Sequence, residues 1–171
     1  FYGGGFCENS IAGRRIAMNV TAIIPAAGIG QRMQHRLKKP YITLRGKPIL
    51  AYTLEVLDRI AAVRKIVIPV FPGEEQRCRE DIISTINLRK PVEVIAGGER
   101  RQDSVRNGLG AVSEDCDLVL VHDGARPLVT QAMMETSITA TMTKKATTMA
   151  VPVKDTITIV DKQTGTISRT P

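Results

Sequence analysis

The amino-acid sequence predicts an α/β fold: a mostly parallel sheet with helices on both faces and a partial β-hairpin arm. Two observations carry this prediction. Short apolar runs that read as buried strands alternate with segments whose apolar residues recur at helical spacing, and such βαβα alternation demands parallel strands covered on both sides. A third observation adds a direction. The Gly turn at residues 26–30, Gly97-Gly98 and His122-Asp123 each lie just past the carboxyl end of a strand, and in Rossmann-like sheets of this kind ligands bind outside the carboxyl ends of the strands.

Each element has its own justification. Val20–Pro25 is an apolar first strand that runs into the turn Ala26-Ala27-Gly28-Ile29-Gly30. Ile49–Ile60 has helical spacing and follows Pro48, a residue suited to a helix start. Lys65–Phe71 is a second buried strand closed by Pro72-Gly73, and Glu74–Ile86 reads as a helix. Val92–Ala96 is a third strand that ends at Gly97-Gly98, and Asp103–Val112 is a helix that starts near Asp103 or Ser104. Asp117–His122 is a fourth strand, Gln131–Lys145 a Thr-rich helix and Thr148–Val153 a fifth strand. Thr156–Ile167 reads as a hairpin with Gln163-Thr164-Gly165 at its turn.

The 171 residues suffice for one domain with a proper core. The repeating pattern occupies residues 18–171. Residues 1–17 begin without Met, lack the apolar centre of a secretory signal, and read as a disordered or non-native extension, with a transit-peptide remnant as the alternative. The pattern stops midway at Pro171, so the C-terminal part of the domain is expected to be missing. No apolar run approaches a membrane span. There is no Trp and few aromatics, which argues against stacking on nucleic-acid bases.

The net charge of +7 is not spread along one basic arm. The cations gather at Arg36, Lys38, Lys39, Arg45 and Lys47, and again at Arg100, Arg101 and Arg106, each time beside a Gly-containing turn. That pattern favours a phosphate-lined pocket over a nucleic-acid surface. Cys7, Cys78 and Cys116 are widely spaced, no Cys-x-x-Cys occurs, and only two histidines are present. A zinc site is therefore not expected, and the cysteines read as reduced thiols without chemistry. Cytosol is the default location, with a plastid origin as the alternative.

Three motifs carry chemistry. In the first, the loop from Ala26 to Lys39, Gly28 and Gly30 let backbone N–H groups approach phosphate oxygens, and Arg32 and Lys39 can meet the charge that builds as a phosphoryl bond breaks. It is neither a dinucleotide fingerprint, because Met33 stands where the third glycine belongs, nor a P-loop, because no Lys-Ser or Lys-Thr follows. The second is Gly97-Gly98-Glu99-Arg100-Arg101-Gln102-Asp103-Ser104-Val105. Bare diglycine backbone can read a base edge, and Ser104 can either bond the base or cap the helix. The third is Val121-His122-Asp123-Gly124-Ala125-Arg126-Pro127. Asp123, at a strand end, suits Mg²⁺, which binds through one or two carboxylates plus substrate phosphates. Arg126 can hold a second phosphate or a polyol, or it can simply pair with Asp123.

In this order the motifs resemble the 2-C-methyl-D-erythritol 4-phosphate cytidylyltransferase family. The resemblance runs from Val20 to Pro171 through PAAGIGQRM, KKPYI, LRGKPIL, GGERRQDSV, HDGARP and Pro152-Val153-Lys154-Asp155-Thr156. It implies a Rossmann-like nucleotidyltransferase that moves a cytidylyl group from CTP to methylerythritol 4-phosphate and releases pyrophosphate, with Mg²⁺, in non-mevalonate isoprenoid synthesis. It implies that Arg32 and Lys39 stabilise the transition state, that Ala26, Ala27, Gly98, Glu99 and Ser104 hold the cytidine, and that Asp123 serves Mg²⁺ and substrate. Arg126 and Thr156 would contact the methylerythritol phosphate. A homodimer through the hairpin arm is implied as well. The alternatives are a ribitol-5-phosphate cytidylyltransferase and a catalytically silent CTP-binding fragment; neither a nucleic acid nor a membrane is an expected partner. Where the family has Pro-Lys-Gln before its aromatic residue, this chain has Lys38-Lys39-Pro40, and proline is expected to push Lys39 toward extended backbone.

Overall fold

The structure, a computed structural model, describes residues 18–28 and 38–169. The expected extension at residues 1–17 lies outside the described residues, as do Gly30 and Arg32. The elements are β1 (Val20–Ile23), β2 (Thr43–Leu44), β3 (Lys47–Pro48), α1 (Ile49–Arg59), β4 (Val63–Val70), α2 (Glu75–Asp81), β5 (Val92–Ala96), α3 (Arg101–Gly110), β6 (Leu118–Val121), α4 (Gln131–Lys144), β7 (Ile159–Val160) and β8 (Ile167–Arg169). Short 3-10 turns occupy Lys39–Tyr41 and Ile83–Thr85.

The central sheet has the order β5-β4-β1-β6, and every pair in it is parallel. The chain steps outward from β1 to β4 to β5, then crosses back to place β6 on the other side of β1. Loops leaving β1 and β6 therefore diverge, and a crevice opens above their carboxyl ends. The pairing outlasts the strand: Ile24 and Ala26 donate their N–H groups to Val67 and Pro69 at 2.8 Å each, which carries the first loop along β4 into the crevice.

Strand alternation sorts the core. Val20, Ala22 and Ile24 join Leu50, Leu54 and Leu57 of α1, Ile66 and Ile68 of β4, and Met134 and Ile138 of α4 in one buried cluster. Ile23 points to the opposite face, where α3 lies so close that a Cβ on Gly108 would come within 2.6 Å of it. Helices thus cover both faces, as expected.

Some elements differ from expectation. The segment Thr148–Val153 forms no strand; it is exposed and irregular, and finds no partner strand among the described residues. The helix expected over Glu74–Ile86 stops at Asp81. A run of Ile82, Ile83, Ser84, Thr85 and Ile86 follows, rich in β-branched residues that lose side-chain freedom in a helix. The Ser84 and Thr85 hydroxyls bond to the carbonyls of Glu80 and Ile82 instead. In α4 the threonines are accommodated: Thr139 and Thr141 each bond back one turn, to Glu135 and Ser137, and Thr130 caps the start by accepting from the Met133 N–H at 3.2 Å. The hairpin forms, with β7 and β8 antiparallel and Gly165 at φ +70° in its turn.

Candidate active site

All three motifs meet in one cleft of about 540 Å³ above the carboxyl ends of the sheet. The end of β1 contributes Pro25, Ala26, Ala27 and Gly28 as one wall. The β5–α3 turn contributes Gly98 to Arg101 and Ser104, and the turn after β6 contributes Asp123, Ala125 and Arg126. Lys39 and Pro40 close the rim.

The diglycine wall is built for backbone. The Gly97 N–H donates to the Val70 carbonyl at 2.6 Å, continuing the β4 edge. A Cβ at Gly97 would lie 2.6 Å from the Ala27 methyl and 2.9 Å from both the Ser104 hydroxyl and the Val70 carbonyl. One at Gly98 would lie 2.4 Å from Cβ of Asp103. Two loops therefore approach each other with no room for a side chain, and a flat ligand in the cleft meets bare peptide groups. Ser104 is 1% exposed and is not a cap. Helix α3 starts earlier, at Arg101, because the Asp103 carboxylate reaches back to the Arg100 N–H at 3.2 Å. The Ser104 hydroxyl, now in the first turn, accepts from the Gly98 N–H at 3.0 Å and locks the diglycine turn onto the helix.

The opposite wall is ionic. Asp123 accepts from Arg101 Nε at 2.7 Å through one carboxylate oxygen and lies 3.1 Å from Arg126 Nε through the other. The turn that presents this group is tied down: the Arg126 N–H donates to the Asp123 carbonyl at 3.1 Å, and the His122 ring meets the Arg126 carbonyl at 3.1 Å. His122 thus orients the turn. Gly124 packs beneath, where a Cβ would lie 3.0 Å from Leu50 and 3.2 Å from Ile24.

Lys39 does not take the extended backbone expected ahead of Pro40. It opens a 3-10 turn in which the Tyr41 N–H donates to the Lys38 carbonyl at 3.0 Å and the Ile42 N–H to the Lys39 carbonyl at 3.2 Å. The bias of a pre-proline residue is a preference, and here two turn hydrogen bonds and the burial of Pro40 and Tyr41 outweigh it.

Of the residues singled out in the sequence, Ala26, Ala27, Gly28, Lys39, Gly98, Glu99, Ser104, Asp123 and Arg126 line this one cleft. Thr156 does not; it is exposed in the irregular segment before β7. In the sequence Arg101 is no more than a member of a basic cluster, yet in the structure it pairs with Asp123. Its signal was positional: it is the first residue of α3, three residues past the diglycine.

Among the described residues no group of three or more His, Cys, Asp or Glu is placed to hold a metal ion. The cleft offers Asp123, already engaged by two guanidinium groups, and the exposed Glu99. That donor set makes no metal centre of its own; it suits a cation carried on phosphates, with one carboxylate added. Among the described residues no helix is long and apolar enough to cross a membrane.

Residues 20–171 match the family profile described as 2-C-methyl-D-erythritol 4-phosphate cytidylyltransferase. A curated protein of that name from Caldanaerobacter subterraneus subsp. tengcongensis is 42% identical over 145 residues, covering 85% of this chain and 64% of its own. Another from Alkaliphilus metalliredigens is 44% identical over 148 residues, covering 86% and 61%. The crystal structure of 4-diphosphocytidyl-2C-methyl-D-erythritol synthase from Anaerococcus prevotii superposes with a TM-score of 0.73 at 27% identity, covering 91% of this chain and 65% of that one. The chain spans less than two thirds of the length of these curated relatives.

Proposed function

The chain belongs to the 2-C-methyl-D-erythritol 4-phosphate cytidylyltransferase family, and from that premise we propose that it transfers a cytidylyl group from CTP to methylerythritol 4-phosphate. One observation carries the reading: bare backbone suited to a base and cations suited to phosphate line a single cleft.

In this reading the cytosine lies against Gly97-Gly98 and reads their peptide groups, which Ser104 holds in place. Ala26, Ala27 and Glu99 flank the nucleoside. The triphosphate extends toward Gly28, Lys39 and Arg101. An oxygen of the 4-phosphate attacks the α-phosphorus, the bond from that phosphorus to the bridging β-oxygen breaks, and pyrophosphate leaves with the electron pair. No proton need be taken from an ionised phosphate, so the protein's work is positioning and charge stabilisation. Lys39 offsets charge on the equatorial oxygens, with Arg32 proposed for the same task. Asp123 holds Arg101 and Arg126 at set angles until phosphate competes for them, and Arg126 then meets the acceptor together with Thr156. Mg²⁺ bound on the triphosphate would supply further neutralisation, with Asp123 as the protein carboxylate nearest to hand.

Further parts of the proposal are a homodimer through the β7–β8 hairpin and a cytoplasmic location, since CTP is drawn from that pool. The hairpin reading is supported by the exposed Ile159, Val160 and Ile167. The test is ³¹P NMR of the chain with CTP, methylerythritol 4-phosphate and Mg²⁺. The expected result is a new diphosphate-ester pair and free pyrophosphate, reduced about 10²-fold in rate by Asp123→Asn, the scale at which loss of an aligned charge acts. Unchanged CTP and acceptor resonances in the parent chain would contradict the proposal.

A further inference from the structure

We propose that Lys38 is a positioning residue: its ammonium, held between the Glu74 carboxylate and the Phe71 ring, anchors the chain one residue before Lys39 and so presents Lys39 to the cleft. The inference rests on the role proposed above for Lys39.

Two lysines stand side by side, yet the structure sends them apart. Lys39 lines the cleft. Lys38 turns to the flank, where its Nζ lies 2.9 Å from Glu74 Oε1 and 3.4 Å from the centroid of the Phe71 ring. A carboxylate and an aromatic face hold the same ammonium from two directions. The pair is also sheltered, at 24% and 17% side-chain exposure, so solvent screens it less than a surface ion pair. With its charge neutralised there, Lys38 adds little field to the cleft. Its contribution is placement.

The anchor is part of a closed circuit. Glu74 is fixed through its own N–H, which donates to the Phe71 carbonyl at 2.9 Å. Arg77 approaches the same Glu74 oxygen at 3.6 Å, pairs with Asp81 at 3.1 Å, and lays its guanidinium 4.3 Å over the Tyr41 ring. The circuit leaves the chain at Lys38 and returns to it at Tyr41, with Lys39 and Pro40 between. Backbone hydrogen bonds from Tyr41 to Lys38 and from Ile42 to Lys39 close the turn. Lys39 therefore starts from a backbone fixed on both sides, and less of its freedom remains to be lost when it meets a phosphate.

Lys38 has φ −66° and ψ 144°, and proline fixes φ at that same value. A ring at position 38 would impose by covalent constraint what the ion pair imposes by contact. This gives a direct test in the full chain, read by hydrogen exchange at the Tyr41 and Ile42 amides and by the kcat for pyrophosphate release from CTP. Lys38→Ala and Glu74→Gln are expected to speed exchange about tenfold, as a local opening made easier. They are expected to lower kcat about tenfold or more, the scale of a misplaced group, with KM for CTP little changed. Lys38→Pro is expected to keep both near the parent values. Unchanged exchange and kcat in Lys38→Ala would overturn the proposal. So would a Lys38→Pro chain that keeps its amide protection but loses as much kcat as Lys38→Ala, because the charge itself would then be acting. The expected exchange pattern in a chain with no turnover of CTP would instead sink the proposed function and leave the anchor standing.

Discussion

Asp123 shows how one side chain organises a site from two distant segments. It joins Arg101, which opens α3, to Arg126, in the turn after β6, at 2.7 and 3.1 Å. Much of this site was legible in the sequence because strand ends announce themselves: Gly97-Gly98 and His122-Asp123 each follow an apolar run directly. The Asp123–Arg126 pair is one of the two readings that the sequence offers for this turn; the Arg101–Asp123 pair is not in it. Nothing in the order of residues states that Arg101 rather than Arg100 crosses the cleft; α3 decides it by starting at Arg101, so that Arg100 turns back to Asp103 at 2.9 Å instead. Gly97 gives the sharpest prediction at this scale. A methyl there meets the Ala27 Cβ, the Ser104 hydroxyl and a backbone carbonyl, all under 3.0 Å. Gly97→Ala is expected to cost about 1–3 kcal/mol in denaturant melts, as overpacking does, and to abolish CTP binding by calorimetry. Gly110→Ala, with nothing within 4 Å of its added carbon, is expected to keep both. Equal behaviour of the two variants would refute the close-approach argument.

At the scale of elements, the strands of the central sheet match the sequence expectation to within a few residues, because each is built around a short, mainly apolar run: Val20–Ile23 and residues 66–70 are buried in the middle of the sheet, while Leu118–Val121, at its edge, is half-buried to exposed. Thr148–Val153 has the same local character, and here composition misled: a strand exists only where a neighbour accepts its hydrogen bonds. The loops at the opposite end of the sheet from the cleft have their own clamp. Asp58, at the end of α1, is 7% exposed and accepts from the Arg89 N–H at 2.8 Å, the Arg89 Nε at 2.9 Å and the Lys90 N–H at 3.1 Å. Burial pushes its carboxyl up, but these hydrogen bonds and the guanidinium charge outweigh burial and hold it below the usual carboxylate value. A depressed folded-state value means stability that is fully present above the unfolded value of about 3.9 and lost as pH falls through the folded one. Asp58→Asn is therefore expected to lower Tm at neutral pH, with the gap to the parent closing below about pH 4. A gap independent of pH would show that the clamp is steric rather than ionic.

The whole molecule joins a conventional sheet to one specialised edge. Its core is ordinary packing, down to Cys78, which is fully buried and whose thiol is pushed up to about 12 by that burial; it reads as structural, as expected of the cysteines. Two groups of its cations do different work. Lys38, Lys65, Arg77 and Arg89 are spent on Glu74, Glu93, Asp81 and Asp58 in the frame, while Lys39, Arg101 and Arg126 face the cleft. That division is what composition could not show and topology does. In the function proposed above, this edge selects CTP and hands its cytidylyl group to methylerythritol 4-phosphate. The measurement that tests it most directly is Mg²⁺-dependent pyrophosphate release from CTP, with methylerythritol 4-phosphate and ribitol 5-phosphate offered in parallel. Release with methylerythritol 4-phosphate alone is expected. Release with ribitol 5-phosphate alone would contradict the acceptor assignment, and release with neither would contradict the transfer itself.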